Sequence, residues 1–334
     1  MVSTTPQILR RQRMEITFPT LIDLFAATKQ IEGKRPKTIS WYTSMLRPFS
    51  RFLGEGATIK DMTIHNARAF IASLQERTSR YDGHPLSPKQ EGGLSPYTIH
   101  GYVRTLKAFG AWLEKEDYTL GNVFARLKRP KLPQTMIEIL ADREIDSIFS
   151  CINPNCFLGA RLYTMVLLLL DTGVRASELC SLTLDNVALN EGYMKVTGKG
   201  NKERIVPFGT ITKKALIRYI STWRLEPESD SVDEVILSVA GTPLTYAGLS
   251  KAIRRLGKRA GVPRLQAHLF RHTFAVRYLM NGGDVMTLRL ILGHTTLDVT
   301  LMYMHLAEAH VKLQHHKFSP VDRLGIGRRR RNRR

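Results

Sequence analysis

The sequence predicts a mainly α-helical fold with one small β-hairpin, an α+β protein built as two domains. Three observations predict it. Apolar residues recur at helical spacing through the first 125 residues, without a convincing strand. The second half mixes such segments with two short runs around a glycine-flanked turn, and a basic, proline-stiffened stretch separates the halves. At 334 residues the chain also exceeds the usual size of one compact domain.

In chain order, 18–31, 36–53, 61–77 and 96–115 carry apolar residues at three- and four-residue intervals and read as helices. The last opens with Ser95 as N-cap and Pro96 at the first helical position. It then aligns Ile99, Tyr102, Val103, Leu106, Phe109 and Leu113 along one stripe. Its other face carries His100, Arg104 and Lys107, and the second helix carries Lys37, Arg47 and Arg51. These cations are candidate phosphate contacts, and a merely solvated face is the plainer alternative for each one. Residues 78–94 are mostly Gly, Pro, Ser and charged types and read as a loop. R-L-K-R-P-K-L-P-Q, at 126–134, reads as the linker, with Arg129 and Lys131 as further candidate contacts. The resulting organisation is a helical domain at 14–125, a linker at 126–138, a second domain at 139–310 and a C-terminal segment at 311–334.

The second domain starts with a helix from about Asp142 and a strongly apolar helix through Leu170. Runs 193–197 and 204–208 flank G-K-G-N-K-E, a hairpin with a lysine-rich tip that includes Lys199 and Lys202. Helices follow at about 210–224, 246–260, 268–281, 284–292 and 297–306.

Charge restricts the partner. Lys and Arg number 50 against 29 Asp and Glu, a net +21, and six arginines fall in the last seven residues, so the body is basic even without its tail. Such a surplus favours a polyanion, because each neutralised phosphate releases counterions; alone it does not separate DNA from ribosomal RNA or an anionic membrane. The longest apolar run, Tyr163 to Leu170, is far short of a bilayer span, and Met1 to Glu15 has no signal-peptide core. The expectation is a soluble, cytoplasmic, nucleoid-associated protein. Cys151, Cys156 and Cys180 form no C-x-x-C pair and read as reduced thiols, with no metal site.

Four motifs carry chemistry. In D-T-G-V-R-A-S-E-L, Arg175 follows a helix-ending glycine, and Glu178 lies three residues on, on the same helical face; a surface ion pair is the bland alternative. In H-L-F-R-H-T-F-A, His268 and Arg271 stand at i and i+3, setting an imidazole beside a phosphate-binding fork, while His272 reads as a packing or capping residue. His294 follows Gly293, just before a Thr295-x-x-Asp298 capping-box pattern. Tyr303 stands nine residues later, and by itself would be an ordinary aromatic.

Together, T-G-V-R-A-S-E-L, V-T-G-K-G-N-K-E-R-I-V-P-F, H-L-F-R-H-T-F-A and L-G-H-T-T-L-D-V-T-L-M-Y resemble the tyrosine recombinase family, most closely from about Asp142 to His305. The resemblance implies a helical core-binding domain followed by a catalytic domain. It also implies the catalytic set Arg175, Lys199, His268, Arg271, His294 and Tyr303, with Glu178 in support; Lys202 and Arg204 join the candidate DNA contacts on their charge alone. The implied chemistry needs neither metal nor cofactor. Tyr303 attacks a DNA phosphodiester, giving a 3′-phosphotyrosyl bond and a free 5′-hydroxyl, and a second 5′-hydroxyl reverses the step. Arg175, Arg271 and His294 would donate to the phosphorane oxygens, Lys199 would protonate the leaving oxygen, and His268 would help accept the tyrosine proton.

The implied partners are double-stranded DNA carrying specific recombination sites, three further copies of the chain in a tetramer on that DNA, and accessory DNA-bending proteins. The two domains would clamp the duplex, and 310–324 would dock on a neighbouring subunit. Within the family, the 78–94 insertion and the arginine tail lean toward a mobile element, with a Xer-like resolvase of chromosome dimers as the alternative. A type IB topoisomerase and a non-catalytic DNA-binding protein fit less well, the latter because every catalytic position is filled.

Overall fold

The computed structural model describes residues 15–80, 90–133, 137–198 and 200–294, together with 303, 315, 319 and 321. The chain divides into two compact units, Met1–Thr135 and Met136–Arg334.

The first unit contains helices α1 (Phe18–Ile31), α2 (Pro36–Leu53), α3 (Ile64–Gln75) and α4 (Pro96–Lys115). Helix α4 starts where the sequence signals it, with the Ser95 hydroxyl accepting the Thr98 N–H and Pro96 in the first turn. Helix α3 begins later than the periodicity predicts. Thr58 and Asp61 cap a separate 3₁₀ turn at Ile59–Asp61, and the Thr63 hydroxyl then caps the helix by accepting the Asn66 N–H. Phe18, Phe25, Phe49, Phe70 and Phe109 meet at the centre, largely edge to face, with ring centroids 5.1–5.9 Å from their aromatic neighbours. The 78–94 segment is not wholly loop: strands β1 (Ser79–Arg80) and β2 (Gln90–Glu91) pair antiparallel. Two-residue strands offer no alternation by which the sequence could announce them.

In the second unit, α5 (Asp142–Ser150), α6 (Phe157–Thr172) and the short α7 (Ala176–Cys180) precede a three-stranded antiparallel sheet of order β3-β4-β5. Strands β4 (Tyr193–Thr197) and β5 (Glu203–Pro207) form the predicted hairpin in a register that pairs Thr197 with Glu203, and β3 (Val187–Ala188) adds a strand that the sequence reading lacked. Helix α8 (Thr210–Arg218) runs into a π-helical turn at Tyr219–Trp223, followed by α9 (Tyr246–Arg259), α10 (Ala267–Met280) and α11 (Val285–Leu292). Helix α10 packs along α6, and Leu169, Val174, Leu179, Val206 and Phe270 lie in the core they share with the sheet. The predicted 297–306 helix and the 310–324 docking segment fall almost entirely outside the described residues. No described helix is long and apolar enough to cross a membrane.

Candidate active site

The site begins where α6 stops. Gly173 takes a left-handed conformation at φ +62°, and a Cβ there would lie 2.4 Å from the Phe274 ring, so the turn requires glycine. Two residues later Arg175 is the N-cap of α7. Its backbone N–H donates to Glu178 Oε2 at 2.8 Å, and its guanidinium donates to Oε1 at 2.8 Å. Glu178, 3% exposed, also accepts two bonds from Arg204 of β5, at 2.9 and 2.8 Å. Burial pushes its carboxyl up, but the hydrogen bonds from Arg204 and from the Arg175 N–H outweigh that and hold it down to about 2.

Helix α10 supplies the centre. Arg271 is 2% exposed and donates to the Gly173 carbonyl at 2.6 Å and the Leu292 carbonyl at 2.8 Å, so one guanidinium ties the end of α6 to the end of α11. Burial, followed by repulsion from Arg175, lowers its pKa to about 10, which leaves it charged at neutral pH. The same group lies 2.9 Å from His294 Nε2. A guanidinium can only donate, so Nε2 accepts and the His294 proton sits on Nδ1. Burial, with Arg271 and Arg175 nearby, holds His294 down to about 4 and therefore neutral. His268 faces a cleft of about 650 Å³ lined also by Arg175, Ser177, Tyr246 and Arg254.

Tyr303 is 3% exposed, and its hydroxyl lies 2.8 Å from His272 Nδ1. Burial pushes that hydroxyl above its ordinary pKa, against the pull of Arg271 and Arg175. The Tyr303 ring lies nearly parallel to that of His294, with centroids 6.4 Å apart, and His268 meets the His272 ring edge to face at 4.9 Å. Two arginines, three histidines and a tyrosine, drawn from three separate stretches of chain, thus lie in one linked cluster, in which His272 meets the Tyr303 hydroxyl.

Residues 138–310 match the phage integrase family model. The chain belongs to this family, the tyrosine recombinases. It is 31% identical over 306 residues to the tyrosine recombinase XerC of Oceanobacillus iheyensis, covering 90% of this chain and 95% of that one. To the tyrosine recombinase XerD of Staphylococcus aureus it is 33% identical over 304 residues, covering 90% and 99%. The fold is shared with the Tn1549 transposon integrase in complex with transposon right end DNA, at TM-score 0.70 and 20% identity, covering 90% and 99%. It is also shared with a lambda integrase dimer bound to a COC′ core site, at TM-score 0.65 and 19% identity, covering 84% and 96%. The enzyme is accordingly a site-specific recombinase that breaks and rejoins DNA strands.

The recombinase departs from its sequence reading at several residues. Arg204, a candidate DNA contact, is engaged within the protein: both its terminal nitrogens hold Glu178 and its Nε donates to the Ile291 carbonyl at 2.7 Å, with the side chain 12% exposed. Lys107 is half-buried, its ammonium donating to the Leu127 carbonyl at 3.2 Å. Lys37, Arg47, Arg104, Arg129, Lys131 and Lys202 are exposed, and Arg104 lies over the Trp41 ring at 4.5 Å. Lys199 lies outside the described residues; beside it, Gly200 and Asn201 adopt positive φ and the Gly198 N–H donates to the Lys202 carbonyl at 2.8 Å. His272, read as a packing or capping residue, is instead the partner of Tyr303. Its i+4 spacing from His268 was the available signal, because that interval places both rings on one helical face.

Proposed function

We propose that this recombinase exchanges strands between two DNA duplexes as a tetramer, using Tyr303 as nucleophile, for the movement of a mobile element. What supports the mechanism is the cluster that gathers these groups beside Tyr303: Arg271 bonds His294, the His294 ring lies nearly parallel to the tyrosine ring, and Arg271 and Arg175 both act electrostatically on the tyrosine hydroxyl. Attack of that oxygen on a phosphodiester forms the 3′-phosphotyrosyl bond and releases the 5′-oxygen. Extra charge develops on the non-bridging oxygens, where Arg175 and Arg271 donate hydrogen bonds and His294 adds another. Glu178 and Arg204 act through Arg175, holding it in place. His268, in the cleft beside Arg175, meets the incoming phosphate, and Lys199 protonates the departing 5′-oxygen. Each phosphodiester bond is exchanged for another of similar energy, so ATP has no role.

Tyr303→Phe tests the assignment. The expected outcome is no covalent protein–DNA adduct with site-specific binding nearly intact, because only the hydroxyl is removed. An adduct that survives denaturation in this variant would overturn it.

The tetramer follows from the chemistry, since two duplexes present four strands to cut. The mobile-element role rests on the 78–94 insertion and the arginine tail. A chromosome-dimer resolvase is the second reading, favoured by the 31% and 33% identity to XerC and XerD over 90% of the chain. Sequencing the DNA that flanks the gene separates them: terminal repeats and a variable insertion point support the first, a fixed chromosomal locus without repeats the second.

A further inference from the structure

We infer that His272 is the base that takes the proton of Tyr303 as the phosphotyrosyl bond forms, a role the sequence reading gave to His268. The inference rests on Tyr303 being the nucleophile. A general base must lie within about 2.6–3.2 Å of the oxygen whose proton it removes, and His272 Nδ1 is 2.8 Å from the Tyr303 hydroxyl. The other imidazoles are oriented differently. His294 lies nearly parallel to the tyrosine ring and spends Nε2 on Arg271, while His268 meets the His272 ring edge to face.

Protonation states agree with this geometry. Burial, then the neighbouring His268 and Arg271, holds His272 down to about 4, so in the free protein the ring is neutral. With its proton on Nε2, its Nδ1 lone pair accepts from the tyrosine. The hydroxyl, pushed up by burial, keeps its proton until attack and so requires an acceptor. An incoming DNA phosphate adds negative charge beside the imidazole, which raises its basicity when it is needed. In the step itself the Tyr303 O–H bond breaks and the His272 Nδ1–H bond forms. The Oη–P bond forms as the P–O5′ bond breaks, and the 5′-oxygen receives its proton from the general acid. On religation His272 returns the proton to Tyr303.

The test is single-turnover adduct formation on a nicked substrate, by enzyme carrying either tyrosine or a ring-fluorinated, more acidic tyrosine at 303. His272→Asn retains a hydrogen-bond acceptor near the Nδ1 position but no useful basicity. The expected result is a loss of ~10²-fold with ordinary tyrosine, largely restored by the fluorinated residue, with DNA affinity unchanged as the check on folding. His268→Asn should show no such restoration. A His272→Asn rate close to that of the unsubstituted enzyme, or a loss that fluorination leaves untouched, would overturn the proposal. If Tyr303→Phe still forms the adduct, the nucleophile assignment has failed and not the role of His272.

Discussion

A carboxylate buried to 3% exposure ordinarily resists ionisation, yet Glu178 is held down to about 2 because Arg175 and Arg204 both donate to it. Its charge therefore contributes stability that is fully present above the ordinary carboxyl value of 4.5 and is lost as pH falls from there toward 2. The difference corresponds to about 3 kcal/mol. Glu178→Gln should remove that contribution at neutral pH and flatten the acid limb of stability. Urea unfolding at a series of pH values reads both effects, and an unchanged acid limb would contradict them. Because Arg175 loses its anchor, adduct formation should fall more steeply than DNA affinity.

The elements act through their ends. Gly173 closes α6, its carbonyl holds Arg271, and a Cβ would meet Phe274 at 2.4 Å and Leu292 at 2.9 Å. Gly173→Ala adds left-handed strain to overpacking and should cost about 3 kcal/mol. It should also slow cleavage beyond what the unfolded fraction explains, as Arg271 is displaced; equal losses in folded fraction and rate would count against this coupling. Helix α10 is tied to the chain entering the second unit in a similar way. Thr273 is fully buried, accepts the Leu140 N–H at 2.9 Å and donates to the Leu269 carbonyl at 2.7 Å. Thr273→Val leaves that N–H unpaired in the core and should cost ~1–3 kcal/mol, measured by urea unfolding, with Thr273→Ser recovering most of it.

For the whole molecule the dominant quantity is charge. The net +21 includes six arginines within 328–334, which lie outside the described residues. Deleting 328–334 should weaken DNA binding and reduce the slope of log affinity against log salt by up to ~5, at ~0.9 per phosphate contact. Preference among target sequences should stay the same, since an arginine run that meets phosphates reads no base edges. Titrations at several salt concentrations on cognate and scrambled duplexes measure both; an unaltered slope would exclude the tail from the interface.

The helices, the hairpin and the candidate series Arg175, His268, Arg271, His294 and Tyr303 were legible in the sequence because each depends on local rules. Apolar spacing marks a helix face, Ser95-Pro96 and Gly173 mark helix ends, and the joint order of the motifs marks a tyrosine recombinase. Periodicity registered neither the two-residue β1 and β2 nor the third strand, β3, because so few residues establish no period. Tertiary structure alone decided the partners of the side chains. Arg204 and Lys107 look like DNA contacts in a basic sequence, and became internal donors only because Glu178, the Ile291 carbonyl and the Leu127 carbonyl fold against them. His272 met Tyr303 for the same reason: the two are 31 residues apart, and helical spacing relates His272 only to neighbours on its own helix. Which donor reaches which acceptor depends on how distant segments pack, and that geometry is absent from any local pattern.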